Sequence, residues 1–286
     1  MAKRYLCVWF PFLVTDWFAI VQPELKGKPF VVKTAVQGRQ LVMASSMEAV
    51  TRGIHPGMVL ADARAIHPSL EVLDEKPELI AKLLTKLASW CIRFSPVVAA
   101  DYPGGLLIDA SGCAHLWGGE EAYVRMIKSR LEQRGYRVRL AMADTVGAAW
   151  AVAHFEARDL CIIVAPHQQR AAIQGLPPES LRLESDTVAL LHKLGLRQVQ
   201  DFLHLPVSSL RRRFGLPLLK RINQALGREE EILLPVEPPV CWQERLSSFE
   251  PIRTATGIAI ALETLLGKIT AALAREGKGL RKAIFK

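Results

Sequence analysis

The chain has 286 residues, half of them hydrophobic and 23% charged. That composition excludes a disordered, collagen-like or disulfide-scaffold protein and leaves room for two or three domains at roughly 100–200 residues each. Thirty-seven Lys and Arg against 28 Asp and Glu give a formal charge of +9 and a pI near 9.5, a field that favours polyanions, nucleic acid first among them. No unbroken apolar run reaches the roughly 18 residues that cross a bilayer, and no small-residue cleavage site follows the N-terminus, so neither a membrane span nor a signal peptide is expected. The five cysteines, Cys7, Cys91, Cys113, Cys161 and Cys241, are scattered and show no CxxC spacing. They read as reduced, cytosolic and structural, and Cys113 with His115 is too little for a zinc site.

The opening Arg4 to Phe10 is rich in β-formers and predicts a buried strand, halted by Pro11. A short helix is expected over Asp16 to Gln22, closed by Pro23. Strands follow at Phe30–Lys33 and Leu41–Ala44, and Ser45 or Ser46 is placed to cap a helix that stops near Arg52-Gly53. Met58 to Ile66 predicts another helix and Leu70 to Leu73 a strand. Leu79, Leu83, Leu84, Leu87 and Ile92 recur at a helical period within Glu78–Arg93. Strands are expected at Pro96–Ala100, Gly105–Asp109 and Val138–Ala143, with helices at Glu120–Gly135 and Val146–His154. From about Gln168 strands give way to short helices. Helix–turn–helix units are read from Leu190 and over Ser208–Gly227, and a proline-rich linker follows. A last helix spans roughly Ala255 to Arg275, before the basic Lys278–Lys282; alone it cannot bury its apolar face, so this segment reads as a domain cut short. The alternation of strands and helices predicts an α+β fold.

Leu191 to Phe202 has the spacing of a helix–hairpin–helix, whose Gly-containing turn directs backbone N–H groups toward a DNA phosphate. The same residues also make a plain helical hairpin with a glycine stop. Arg211 to Arg213 adds positive charge and reads equally as a solvated face.

Leu25-Lys-Gly-Lys-Pro29, Ala44 to Ala49, Gly53 to Met58, Leu60 to Ala63 and Leu106 to Gly112, in that order, resemble the palm and fingers of Y-family translesion DNA polymerases. The resemblance implies a right-hand polymerase-like architecture: palm over 1–29 and 69–167, fingers over 30–68, a helix–hairpin–helix thumb over 168–231, a linker at 232–241 and the start of a little finger at 242–286. It also implies two metal ions held by carboxylates at an Asp-x-Asp pair and an Asp-Glu pair. Those positions here are Trp9 and Pro11, and Gly104 and Gly105. The triphosphate-touching Tyr and Arg of the family motif are Met47 and Val50, and the aromatic that gates against ribose is Val14.

Metal site and triphosphate clamp are thus lost together, so no catalytic residue, metal or cofactor is expected. The pattern is similar to a catalytically silent branch of the family found in bacterial mutagenesis cassettes. Such kinship implies a DNA-damage-induced, cytoplasmic, nucleoid-associated adaptor. Its implied partners are primer–template DNA, the sliding clamp, a protein called ImuA and an error-prone C-family polymerase, with docking segments beyond the little finger and no membrane. The DNA-holding residues are then Lys193, Gly195, Arg197, Arg211, Arg212, Lys278, Arg281 and Lys282. Asp144 to Gly147 resembles a turn whose small residues let the backbone approach a phosphate. Trp9 and Phe10 read as fillers of the vacated cleft, with base stacking as the alternative. Asp16 reads as a charge near a helix start, and His55, His67, His115 and His154 as ordinary surface or core histidines. The rival readings are an active polymerase using Mg²⁺ at relocated acids such as Asp101 and Asp109, a protein-interaction scaffold without DNA affinity, and another two-metal enzyme on a palm-like sheet.

Overall fold

Strand β1 (Tyr5–Trp9) runs through the middle of a five-stranded sheet. It pairs antiparallel with β6 (Gly105–Asp109) on one side and β7 (Arg139–Ala143) on the other. Beyond them lie β5 (Val98–Asp101) and β8 (Cys161–Ile163), giving the order β5-β6-β1-β7-β8. Both faces of β1 are covered, which is why its sequence is an unbroken apolar run and not an alternating one. Leu6 and Val8 pack with Leu106, Ile108 and Met142 under α4 (Leu79–Cys91) and α5 (Glu120–Glu132). Tyr5 and Cys7 pack with Leu107, Ala141 and Ala143 under α6 (Val146–Phe155). The computed structural model describes residues 3–156, 159–237, 242–247, 251–275 and 277–285. Cys241 and part of the expected linker lie outside these.

A smaller sheet, order β3-β2-β4, is built from β2 (Phe30–Val36), β3 (Arg39–Ser45) and β4 (Glu71–Asp74). Strands β2 and β3 run longer than expected because Gln37 and Gly38, both at positive φ (49° and 77°), close them as a two-residue hairpin. Ser46 caps α2 (Met47–Val50), its hydroxyl accepting from the Ala49 N–H at 3.2 Å. Helix α3 (Leu60–Ile66) then covers this sheet. Helix α1 (Leu13–Val21) starts earlier than expected. That places Asp16 inside its first turn, as an acidic residue near a helix start, and only 5% exposed.

Helices α7 (Gln169–Ile173), α8 (Ser185–Lys193), α9 (Gln200–Leu203) and α10 (Val207–Leu226) complete the first compact unit, Met1–Glu237. Helix α10 is broken at Gly215, whose backbone (φ 77°, ψ −170°) lies outside helical space, and Pro217 follows two residues later. The second unit, Pro238–Lys286, contains α11 (Ala255–Arg275). At 21 residues and mean hydropathy 1.6, α11 is long and apolar enough to cross a membrane by length and composition alone, with 6% of that window buried. The sequence expectation of no such stretch is therefore corrected. Its Ala, Gly, Ile and Leu outweigh the isolated charges Glu263 and Lys268, which a count of unbroken apolar runs treats as stops. A core helix of a soluble domain passes the same test, so the length alone makes no membrane assignment.

Candidate functional site

Four strands of the larger sheet have ends at one level. Trp9 on β1 sits opposite Gly105 on β6 and Arg139 on β7, and Gly105 sits opposite Asp101 on β5. These four residues form one row across the sheet end, beneath α6. Above the row, the smaller sheet and α1 close a cleft of about 520 Å³, lined among others by Trp9, Pro11, Val14, Val50 and Gly104. Most of the sequence-predicted positions therefore converge: Trp9, Pro11, Gly104, Val50 and Val14 line one cavity and Gly105 follows Gly104, while Met47 is not part of its lining.

The row is closed from above by an aromatic stack. Trp9 and the His154 ring lie 4.6 Å apart at 28°. His154 and Trp150, one helical turn earlier on α6, lie 3.9 Å apart at 19°. The Arg139 guanidinium covers Trp9 at 5.5 Å and that of Arg182 covers Trp150 at 5.6 Å. Trp9 is thus engaged by both the His154 ring and the Arg139 guanidinium while still lining the cleft. Phe10 is buried edge-on against Tyr136. Burial between two tryptophans drives the His154 pKa down to about 4, and Arg139 and Arg182 add to the fall. His154 Nδ1 lies 2.9 Å from the Trp150 carbonyl, which can only accept, so Nδ1 carries the proton. Burial also lowers the Arg139 pKa, and its Nε and one Nη have no hydrogen-bond partner.

Among the described residues, Asp101 is the one carboxylate lining this cleft. The Trp150 indole N–H donates to its Oδ2 at 2.7 Å, while burial pushes its pKa above the ordinary carboxylate value. A Cβ at Gly105 would stand 3.0 Å from that same oxygen, and one at Gly104 would stand 3.3 Å from the Phe10 carbonyl. Asp101 and the stack therefore occupy the room that side chains at the expected acid positions would need. Asp109 does not join Asp101. It pairs with Tyr5 at the far end of β6, about 13 Å away at roughly 3.4 Å per residue, and its carboxylate accepts from the Ser111 N–H at 2.9 Å. Among the described residues no group of three or more His, Cys, Asp or Glu is placed to hold a metal ion.

The side chains of the turn Asp144–Gly147 are engaged within the chain. The Asp144 carboxylate accepts from Arg4 at 2.7 Å and from the His167 N–H at 2.6 Å. Thr145 caps α6 and donates to the Ala225 carbonyl at 2.9 Å. A Cβ at Gly147 would meet the Ala225 Cα at 2.9 Å, so the small residue admits helix α10 instead of a ligand.

Lys193, Gly195 and Arg197 sit exposed between α8 and α9, with Gly195 at φ 77°. The N–H groups of Arg197 and Gln198 donate to the Asp201 carboxylate at 2.9 and 2.8 Å. That carboxylate takes the turn's donors, a feature the spacing Arg197-x-x-x-Asp201 already contained. Arg211 and Arg212 are exposed on the first half of α10, just before the Gly215 break. In the second unit the Lys278 ammonium lies 5.3 Å over the Trp242 ring, and Arg281 and Lys282 are exposed. Sequence reasoning missed the roles of Trp150, Arg139 and Arg182. The Trp150-x-x-x-His154 spacing on one helix face was the available signal.

Comparison with known proteins gives a consistent result. The impB/mucB/samB family matches residues 12–154. Protein ImuB of Caulobacter vibrioides is 43% identical over 230 residues, covering 80% of this chain and 50% of the relative. DNA polymerase IV of Alkalilimnicola ehrlichii is 23% identical over 267 residues, covering 93% and 75%. Among solved structures, DinB from Sulfolobus solfataricus superposes with a TM-score of 0.67 at 18% identity, over 80% of this chain and 69% of that one. The insertion ternary complex of Dbh DNA polymerase gives 0.68 at 17% identity, over 80% and 69%. The mixed α+β fold is therefore that of the Y-family polymerases. The chain spans about half the length of the ImuB relatives it matches.

Proposed function

The chain belongs to the impB/mucB/samB family of Y-family polymerase-related proteins, and from that premise we propose that it grips DNA in translesion synthesis without itself copying it. One observation carries this reading. Where the family resemblance calls for carboxylates, the sheet end presents Trp9, Pro11, Gly104 and Gly105, and the neighbouring Asp101 is engaged by Trp150. Magnesium needs hard oxygen donors. An indole, a proline and two glycines offer none from their side chains, so the residues present do not fit a two-metal centre. The loss of the clamp agrees: Val50 cannot hydrogen-bond a triphosphate.

In this proposal the five-stranded sheet is the palm, the three-stranded sheet with α2 and α3 the fingers, and α7 to α10 the thumb. The thumb and basic tail hold the DNA backbone through Lys193, Gly195, Arg197, Arg211, Arg212, Lys278, Arg281 and Lys282. Because Asp201 takes the donors of the first hairpin turn, the Gly215 break beside Arg211 and Arg212 is the better-placed phosphate contact of the two. The partners implied by the resemblance, the sliding clamp, ImuA and a C-family polymerase, belong to the same proposal, as does a cytoplasmic, nucleoid-associated setting.

The test is a fluorescence-anisotropy titration of a primer–template at several salt concentrations, paired with primer extension in Mg²⁺ and Mn²⁺. Affinity should fall steeply with salt, and R211A and R212A should each reduce the slope by about 0.9. Extension should be absent. A flat salt response refutes the DNA grip, and robust incorporation abolished by D101A refutes the loss of catalysis.

A further inference from the structure

We propose that the surface made by the C-terminal ends of α4 and α5 and the turn before α5 is a docking site for an acidic segment of a partner protein that carries an apolar anchor. Three aromatic rings meet there edge to face. Trp90 and Phe94 lie 5.2 Å apart at 80°, and Phe94 and Trp117 lie 5.9 Å apart at 68°. Phe94 is buried, whereas Trp117 is 39% exposed and its neighbour Leu116 73% exposed. Both stand on the 3₁₀ turn Ala114–Trp117. An exposed Leu-Trp pair beside further rings is apolar relief of the kind that anchors a protein interface, where Trp and Arg are enriched.

Charge selects the occupant. The Arg93 guanidinium lies 4.6 Å over the Trp90 ring and that of Arg134 4.3 Å from it. Lys86 stands one turn before Trp90 on α4, and Arg130 four residues before Arg134 on α5. All four cations are exposed, and among the described residues none of them forms a salt bridge. The carboxylates of the flanking elements are engaged elsewhere. Glu121 and Glu132 pair along α5 with Arg125 and Lys128, Glu120 pairs with Arg4, and Asp109 accepts from the Ser111 N–H. Glu78 pairs with Lys82 and precedes the opposite end of α4, about 18 Å from Trp90 at roughly 1.5 Å per residue. His115, on the exposed turn, adds no negative charge.

A phosphate backbone is drawn by the same cations but makes no use of Leu116. The arginine-bearing α10 also joins the core under α6, on the other side of the five-stranded sheet from α4 and α5. An acidic segment with an apolar side chain uses both the charge and the relief. The inference does not depend on the proposed grip on DNA.

The experiment is selection of a random phage-displayed peptide library on the whole chain, with enriched peptides then measured by anisotropy beside a short DNA duplex. Enriched peptides should combine Asp or Glu with a Leu, Phe or Trp anchor. Arg93→Glu/Arg134→Glu and, separately, Leu116→Asp should each weaken them by about tenfold or more at unchanged melting temperature. Lys86→Glu/Arg130→Glu keeps the test decisive if the first pair fails to fold. The duplex should bind these variants as it binds the parent chain. No enrichment, a basic or uncharged consensus, or acidic peptides indifferent to the charge variants overturn the proposal. So does a duplex that loses affinity in Arg93→Glu/Arg134→Glu as fully as the peptides do, which would make this a nucleic-acid surface.

Discussion

Two buried groups in the larger unit titrate in the same acidic window with opposite signs, and separating them tests the packing described above. His154 falls from 6.5 to about 4 on folding, so the unfolded chain binds its proton first. Its contribution is complete above pH 6.5 and is lost as pH falls toward 4, by about 2 kcal/mol between pH 7.5 and 5. Asp16 rises from 3.8 to about 6, chiefly through burial, although the Arg137 N–H donates to it at 2.7 Å. The folded chain therefore binds that proton first. Its ionisation costs stability as pH rises through 3.8 to 6, and acidification from pH 7.5 to 5 returns about 1.4 kcal/mol. In the parent chain the two effects nearly cancel. His154→Phe keeps a ring in the stack and removes the first, so its stability should increase by about 1.4 kcal/mol on going to pH 5. Asp16→Asn keeps an acceptor for the Arg137 N–H and removes the second, so its stability should fall by about 2 kcal/mol. Urea denaturation followed by tryptophan fluorescence at both pH values measures the difference of about 3.4 kcal/mol between the variants. Parallel pH profiles, or an NMR titration of His154 near 6.5, would show that neither group is held as described.

Other substitutions probe single contacts. Gly147→Ala places a methyl 2.9 Å from the Ala225 Cα and should cost about 1–3 kcal/mol in chemical denaturation; a neutral effect would mean that α6 and α10 are not in backbone contact. Gly105→Glu, restoring an acid, should destabilise because its Cβ meets Asp101 at 3.0 Å. Asp101→Ala in the same chain should recover about 0.5–3 kcal/mol of that loss, and strict additivity of the two changes would contradict the crowding. Asp201→Ala removes the acceptor for the Arg197 and Gln198 N–H groups and should cost about 1 kcal/mol. Hydrogen exchange at those two amides should speed up correspondingly, and unchanged protection would rule out the cap.

The elements most legible in the sequence were those with a strong period or a strong stop. The unbroken apolar run before Pro11 gave β1, Ser46 marked the start of α2, and the Leu79 to Leu87 pattern marked α4. Strand β8 was missed because three residues are too few to show a period, and its pairing with β7 is parallel and distant in sequence. The candidate site was legible by position, since the resemblance located Trp9, Val50 and Gly104. Its chemistry was not. A stack that joins β1, β7, α6 and Arg182 is made of residues up to 173 positions apart, Trp9 and Arg182, and no local pattern announces it. The contact of Gly147 with Ala225 was illegible for a related reason. A small residue signals a close approach, and only the folded chain shows that the approaching group is helix α10.

The contact at Gly147 has a mechanical consequence. Backbone against backbone, reinforced by the Thr145 hydroxyl on the Ala225 carbonyl, leaves no compressible layer of side chains at that point between the sheet's covering helix and α10. The sheet's covering helix is thus coupled as a rigid bracket to the half of α10 that follows the Gly215 break. A spin-label distance between β7 and α10 should be the same with and without a bound duplex. The half of α10 beyond the break is thereby kept at one constant spacing from the sheet, as a jig holds a workpiece.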